Sequence, residues 1–175
     1  MILIALGANL PSNYGRPDET ILAAQKVMDE QGIHVVQSSR IWLTAPVPVS
    51  DQPWYHNAVV QVETSLSPYA LLEMLQSIEN DFGRVRTVRN APRLLDLDLI
   101  AYHDRILDKP DLIVPHPRMH ERAFVLMPLQ DIVSSWTHPV YGFDLSDMIA
   151  KIPDEQKAQP MEITAPQARP ISSAA

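Results

Sequence analysis

Asp96 and Asp98 stand one residue apart in the run RLLDLDLIAY, Arg93 to Tyr102, where Leu95, Leu97 and Leu99 alternate with them. On an extended strand successive side chains point to opposite faces. The leucines therefore share one face and the two carboxylates the other, roughly 6.7 Å apart along the chain. Carboxylates so placed suit hard cations, Mg2+ above all. Just upstream, RVRTVRNAPR supplies Arg84, Arg86, Arg89 and Arg93. A guanidinium fork matches phosphate oxygens and stays charged, so these arginines would gather around phosphates. Cations beside an arginine cluster make the chemistry of nucleotide phosphates. An isolated D-x-D is more often a solvated strand face neutralised by a basic loop, so the motif needs support from the rest of the chain.

The 175 residues are enough for one domain with a sizeable core. A net charge of -7 argues against broad binding to nucleic acid or anionic membranes, because both need a basic surface. It leaves room for a local basic pocket. The absence of cysteine excludes disulfides, thiolate metal sites and cysteine nucleophiles. Met1–Leu6 is apolar but too short for a signal segment, and no run reaches the length of a membrane span. The expectation is a soluble, cytoplasmic monomer acting on small molecules. Sixteen prolines against five glycines mark the element boundaries, and Pro153, Pro160, Pro166 and Pro170 crowd the end. That divides the chain into a domain over 1–153 and a tail over 154–175 expected to be poorly ordered.

The elements that must position the acidic pair follow from periodicity. Ile2–Leu6 reads as a buried strand ending in the turn GANL, and Asp18–Gln31 has helical spacing with Gly32 as its stop. Ile33–Leu43 is β-rich but diluted by Gln37, Ser38 and Ser39. The proline-rich stretch Thr44–Pro53 is a long loop, of the kind that often carries function. Tyr55–Thr64 alternates as a strand, placing Tyr55 and Asn57 on one face. Ser67 and Pro68 open a helix whose Leu71, Leu72, Leu75 and Ile78 form one stripe. After LDLDLI, Leu107–Val114 reads as a loop with a short extended piece. A short helix lies within Arg122–Ile132, broken near Pro128, and a last turn follows an Asp144 cap. The order β-α-β-β-α-β is an α+β, ferredoxin-like pattern with an irregular C-terminal extension.

Several motifs now occur in one series: GANL, the T-A-P loop, QPWYHNAVV, LSPYALLEMLQSIE, FGRVR, APRLLDLDLI, VPHPR and RAFVLMPL. Together, over about Met1 to Ile132, they resemble the 6-hydroxymethyl-7,8-dihydropterin pyrophosphokinases of folate biosynthesis. The resemblance implies a ferredoxin-like fold and transfer of pyrophosphate from ATP to a pterin hydroxymethyl group, leaving AMP. It implies that Asp96 and Asp98 hold two Mg2+ ions on the triphosphate. It carries ATP contacts onto Gln76, Glu79, Arg84, Arg86, Arg93, Leu99 (through its backbone), His116 and Arg122. Arg84 and Arg93 are the strongest phosphate candidates, and they join the two aspartates as the catalytic set. Tyr55 and Phe124 would sandwich the pterin, Asn57 would meet its amide edge, and Thr44 and Val47 would line the site. Ala45 departs from the pattern, since proline often follows this threonine. The arginine loop also lacks the tryptophan that some members carry. Outside that resemblance, a ferredoxin-like RNA- or metabolite-binding module and a two-metal nuclease are the competing classes. The charge and the acidic pair weigh against the first.

Overall fold

A computed structural model describes residues 1–83 and 93–162. Its elements, in chain order, are β1 (Ile2–Ala8), α1 (Pro17–Glu30), β2 (His34–Ser38), β3 (Trp42–Thr44), β4 (Tyr55–Glu63) and α2 (Pro68–Asp81). After these come β5 (Asp96–Tyr102), the hairpin β6 (Leu107–Lys109) and β7 (Leu112–Val114), a 3-10 turn at Met119–Glu121, α3 (Ala123–Ile132), α4 (Leu145–Ala150) and β8 (Ala158–Pro160). The main sheet is antiparallel in the order β5-β1-β4-β3-β8, and β2 pairs the far half of β4. The fold class is therefore α+β and ferredoxin-like, as the sequence pattern predicts.

Strand alternation divides the core in two. Ile2, Ile4 and Leu6 of β1 pack with Ile21 and Met28 of α1 and with Leu71, Leu75 and Ile78 of α2. Leu3 and Ala5 point the other way, into a second cluster with Val125, Leu126 and Leu129 of α3 and Met148 of α4. Helices thus cover both faces, and all seven residues of β1 are buried. The C-terminal extension that looked irregular in sequence supplies this second layer.

Local caps follow the sequence. Ser67 Oγ accepts from the Ala70 N–H at 3.3 Å, with Pro68 in the first helical turn. Three expectations need correction. The helix expected to break at Pro128 runs unbroken to Ile132. Proline removes one N–H from the ladder, but burial of Val125, Leu126 and Leu129 against the sheet holds the helix together. Asp144 does not cap α4 through its side chain. Its Oδ1 instead accepts from Thr137 Oγ1 at 2.7 Å. The third correction concerns the tail expected from residue 154. Ala158–Pro160 forms β8 against β3, because β3 offers an unpaired edge and the segment supplies its own backbone groups to fill it. Residues 163–175 lie outside the described part.

Candidate active site

A cavity of about 420 Å³ opens on the face of the sheet that α3 covers, beyond the N-terminal end of that helix. Gly7 on β1 is its floor, paired with Asn57 of β4 on one side and Asp96 of β5 on the other. Alternation does the sorting, as the sequence implied. Leu95, Leu97 and Leu99 enter the core beneath α1 and α2, while Asp96 and Asp98 remain part-exposed on the opposite face and line the cavity. Ile100 follows them into the second core. Tyr55 and Asn57 share that face at the start of β4, and Thr44 pairs with Tyr55 from β3.

One end of the cavity is ionic. Arg93 is hydrogen-bonded to Asp96 through its guanidinium. Burial alone would lower the Arg93 pKa, but the Asp96 carboxylate outweighs it and raises the value. Arg122 Nη1 lies 3.9 Å from Asp98 Oδ2, and its guanidinium sits 5.2 Å from the centroid of the Phe124 ring. Here burial prevails, and the Arg122 pKa is lowered despite the Asp98 charge. With Arg118 and Glu121, which also line it, three arginines and three carboxylates face one hollow, an arrangement suited to a polyanionic ligand that also brings cations with it.

Beside these charges the cavity has an aromatic and amide-like lining. Tyr55 and Phe124 line it, and burial raises the pKa of the Tyr55 phenol, which stays protonated and donates to Gln52 Oε1 at 3.4 Å. Asn57, 5% exposed, donates from Nδ2 to Thr44 Oγ1 at 2.7 Å. That bond fixes the amide plane, with its remaining hydrogen-bonding capacity available to a ring edge.

His116 also lines the cavity, beside Arg122. Burial first, and the Arg122 charge second, drop its imidazole from 6.5 to about 4. Its Nδ1 accepts from the Arg118 N–H at 3.1 Å, which leaves the ring proton on Nε2, 3.5 Å from Arg122 Nη1. The lowered value has a sign. As pH falls from 6.5 toward about 4, the unfolded chain takes up a proton that the folded protein refuses, so this group withdraws stability across that window. Urea midpoints measured at about pH 7 and about pH 5 should fall more in the wild-type protein than in His116→Asn. Equal falls would remove His116 as the cause.

Not every expected residue meets here. Thr44, Val47, Tyr55, Asn57, Arg93, Asp96, Asp98, His116, Arg122 and Phe124 line the one cavity. Gln76 on α2 does not. Glu79 is 1% exposed, and its Oε1 accepts from the Leu97 N–H at 2.7 Å, anchoring α2 to the edge of β5. The Leu99 side chain is core. Arg84 and Arg86, like Arg89 and Asn90, lie outside the described residues.

Sequence reasoning missed several contributors, Arg118 and Glu121 among the lining residues as well as the three that follow. Asn9, read only as a turn residue, is 2% exposed; its Oδ1 accepts from the Arg93 N–H at 2.8 Å, and its Nδ2 donates to Gln52 Oε1 and Pro53 O. It ties the first turn to the roots of both loops. Gln52 and Gln156 line the cavity from segments read as loop and tail. Among the described residues no three His, Cys, Asp or Glu side chains form a metal cluster. Two carboxylates in a polar hollow nonetheless fit magnesium, which takes one or two protein carboxylates and completes its shell with phosphate oxygens and water.

A profile of the 7,8-dihydro-6-hydroxymethylpterin-pyrophosphokinase family matches residues 3–134. The chain belongs to this family. Among relatives in the family, the 2-amino-4-hydroxy-6-hydroxymethyldihydropteridine pyrophosphokinase of Haemophilus influenzae is 43% identical over 137 residues, covering 78% of this chain and 83% of the relative. The enzyme of that name from Pseudomonas aeruginosa is 39% identical over 155 residues, covering 88% of this chain and 93% of the relative. The folic acid synthesis protein fol1 of Pneumocystis carinii is 42% identical over 150 residues. The match covers 86% of this chain but only 20% of that protein, so the chain corresponds to one portion of such longer relatives. A crystal structure described as HPPK-DHPS in complex with substrates superposes with a TM-score of 0.64 at 13% identity, covering 85% of this chain and 44% of that one. That likeness supports the fold.

Proposed function

We propose that this pyrophosphokinase-family chain transfers the terminal pyrophosphoryl group of ATP to the hydroxymethyl group of 6-hydroxymethyl-7,8-dihydropterin, in folate biosynthesis. The observation that carries the reading is a cavity whose lining brings aromatic and amide side chains together with two arginine–carboxylate pairs. Tyr55 and Phe124 would sandwich the pterin ring, a contact worth ~1 kcal/mol beyond burial. Asn57, oriented by Thr44, would read the ring's donor and acceptor edge, and Val47 would close it from the proline-rich loop. The substrate oxygen would then attack the β-phosphorus in line, and the bond from that phosphorus to the oxygen of the AMP portion would break.

Protein groups have little covalent work in such a transfer; positioning and electrostatics carry it. Arg93 and Arg122 would neutralise phosphate oxygens, and the His116 Nε2–H would donate to one. The backbone of Leu99 would face the adenine. Asp96 and Asp98 would hold two Mg2+ ions, which when bound neutralise phosphate charge and lower the pKa of the attacking hydroxyl. The reaction uses soluble metabolites, consistent with action in the cytoplasm. No helix among the described residues is long and apolar enough to cross a membrane.

The direct test combines purified protein with ATP, Mg2+ and the pterin. AMP and the pterin diphosphate are the expected products, and ADP or no turnover would overturn the reading. Gly7 offers a finer test. A Cβ there would stand 3.0 Å from Asn57 Oδ1, closer than most real contacts, so the amide must shift by a few tenths of an ångström. Gly7→Ala should raise the pterin KM about tenfold, equivalent to about 1.4 kcal/mol, with the ATP KM nearly unchanged. Equal effects on both substrates would remove Asn57 from the pterin edge.

A further inference from the structure

Two walls of the cavity come from separate parts of the chain. One is β3 with the start of the proline-rich loop, carrying Thr44. The other is the start of α3, with Arg122 at its cap and Phe124 in its first turn. The segment Gln156–Pro160 is bonded to both. On the first side Ala158 pairs with Thr44 and Pro160 with Trp42, and the Ala45 N–H donates to Lys157 O at 3.0 Å. A proline at position 45 has no N–H to give, so this tie depends on the alanine found here. On the second side Gln156 Nε2 donates to Glu121 O at 2.8 Å, and its Oε1 accepts from the Ala123 N–H at 3.0 Å.

The Gln156 bonds answer a local need. The first N–H groups of a helix lack partners within it. Arg122, in the cap position of α3, supplies no side-chain hydrogen bond. Gln156 fills the role from 33 residues away. It grips the residues on either side of Arg122, the second of which precedes Phe124, and it lines the cavity itself.

We infer that the strap Gln156–Pro160 belongs to the binding machinery, with Gln156 as a positioning residue that sets how Arg122 and Phe124 face Thr44 and Asn57 across the cavity. The inference rests on the pyrophosphokinase reading, since it names the ligands those side chains would meet. A strap of this kind fixes the width available to a flat ring on one side and a phosphate chain on the other. Its loss should weaken both substrates together while leaving the reacting groups intact.

Steady-state kinetics on the full chain test it, with Gln156→Ala and Gln156→Glu beside the wild type. Glutamate keeps the acceptor for the Ala123 N–H, and its charge suits a helix N-terminus, but it loses the donor to Glu121 O. Gln156→Ala should raise the KM of pterin and of ATP about tenfold each, a loss of about 1.4 kcal/mol per substrate, with kcat within about threefold of wild type. Gln156→Glu should recover most of that loss. A Gln156→Ala protein with a lowered Tm but unchanged KM values would overturn the proposal and leave the strap a stabilising edge only. Should Gln156→Ala fail to fold, Ala45→Pro cuts the other tie. A severalfold rise in pterin KM would then support the proposal, and an unchanged KM would overturn it. Wild-type AMP release tests the reading itself, whereas the ratio of variant to wild-type KM tests the strap, so the two failures are separable.

Discussion

Asp98→Ala is expected to lower kcat about a thousandfold, the scale seen when one preorganised electrostatic partner of a transition state is removed. Asp98 lines the ionic end of the cavity and is part-exposed, so its carboxylate can meet a cation without being buried first. Tyr55, Asn57 and Thr44, to which the proposal assigns the pterin, do not depend on Asp98 for their hydrogen bonds. Pterin affinity, followed through the ligand's own fluorescence, should therefore change little. Asp98→Asn should resemble the alanine variant, because an amide of the same shape supplies no charge to magnesium. A variant that keeps more than about a tenth of wild-type turnover would mean the transition-state charge is met elsewhere. Adding magnesium in excess should not restore the alanine variant if the carboxylate also sets the geometry of attack.

Arg122→Met should separate activity from stability. The guanidinium is partly buried, and burial holds its pKa down despite Asp98 at 3.9 Å. Removing one partner of a buried ion pair is costly when the other charge stays buried, but Asp98 is 37% exposed and water can solvate it once the guanidinium and its own desolvation cost are gone. Tm should therefore hold or rise, while kcat/KM for ATP falls about a hundredfold. That fall is the sum expected from losing charge-assisted bonds to phosphate, at about 1.5–3 kcal/mol, with a smaller cation–π share over Phe124. Arg122→Lys should recover only part, since a point charge lacks the planar fork that meets phosphate and ring together. A methionine variant with full activity would place the phosphates away from this arginine. A sharp fall in Tm would show instead that Arg122 supports the turn before α3.

What the sequence conveyed depended on whether a residue's role is local. The acidic pair was legible because period-two alternation sends Leu97 and Leu99 to one side and Asp96 and Asp98 to the other, and the strand keeps that promise. Ser67 and Pro68 announced α2 for the same reason. Glu79 shows the limit. On helical spacing alone it was an unremarkable polar residue and only the resemblance singled it out, but it accepts from a backbone N–H on β5, and no pattern in α2 names that partner. Asn9 and Gln156 were missed because each acts across a distance in sequence, on Arg93 and on Ala123 respectively. β8 was hidden by composition. A proline-bearing stretch of polar residues reads as a tail, and only an edge already built by β3 makes it a strand.

The burial of β1 on both faces has a kinetic side. Ile2 finds its neighbours at Val62 and at Tyr102, so neither flank of the strand can be paired by nearby chain. Folding rates fall as contacts become less local, because each loop must close before its pairing is rewarded. Until β5 emerges during synthesis, the segment ILIALGA is a short apolar β-former with an unpaired edge, the kind of segment that associates with its own copies. Expression at reduced temperature, or with chaperones that shield such segments, should raise the yield of native protein more than any change at the cavity. The earliest of the described strands is among the last to acquire both partners.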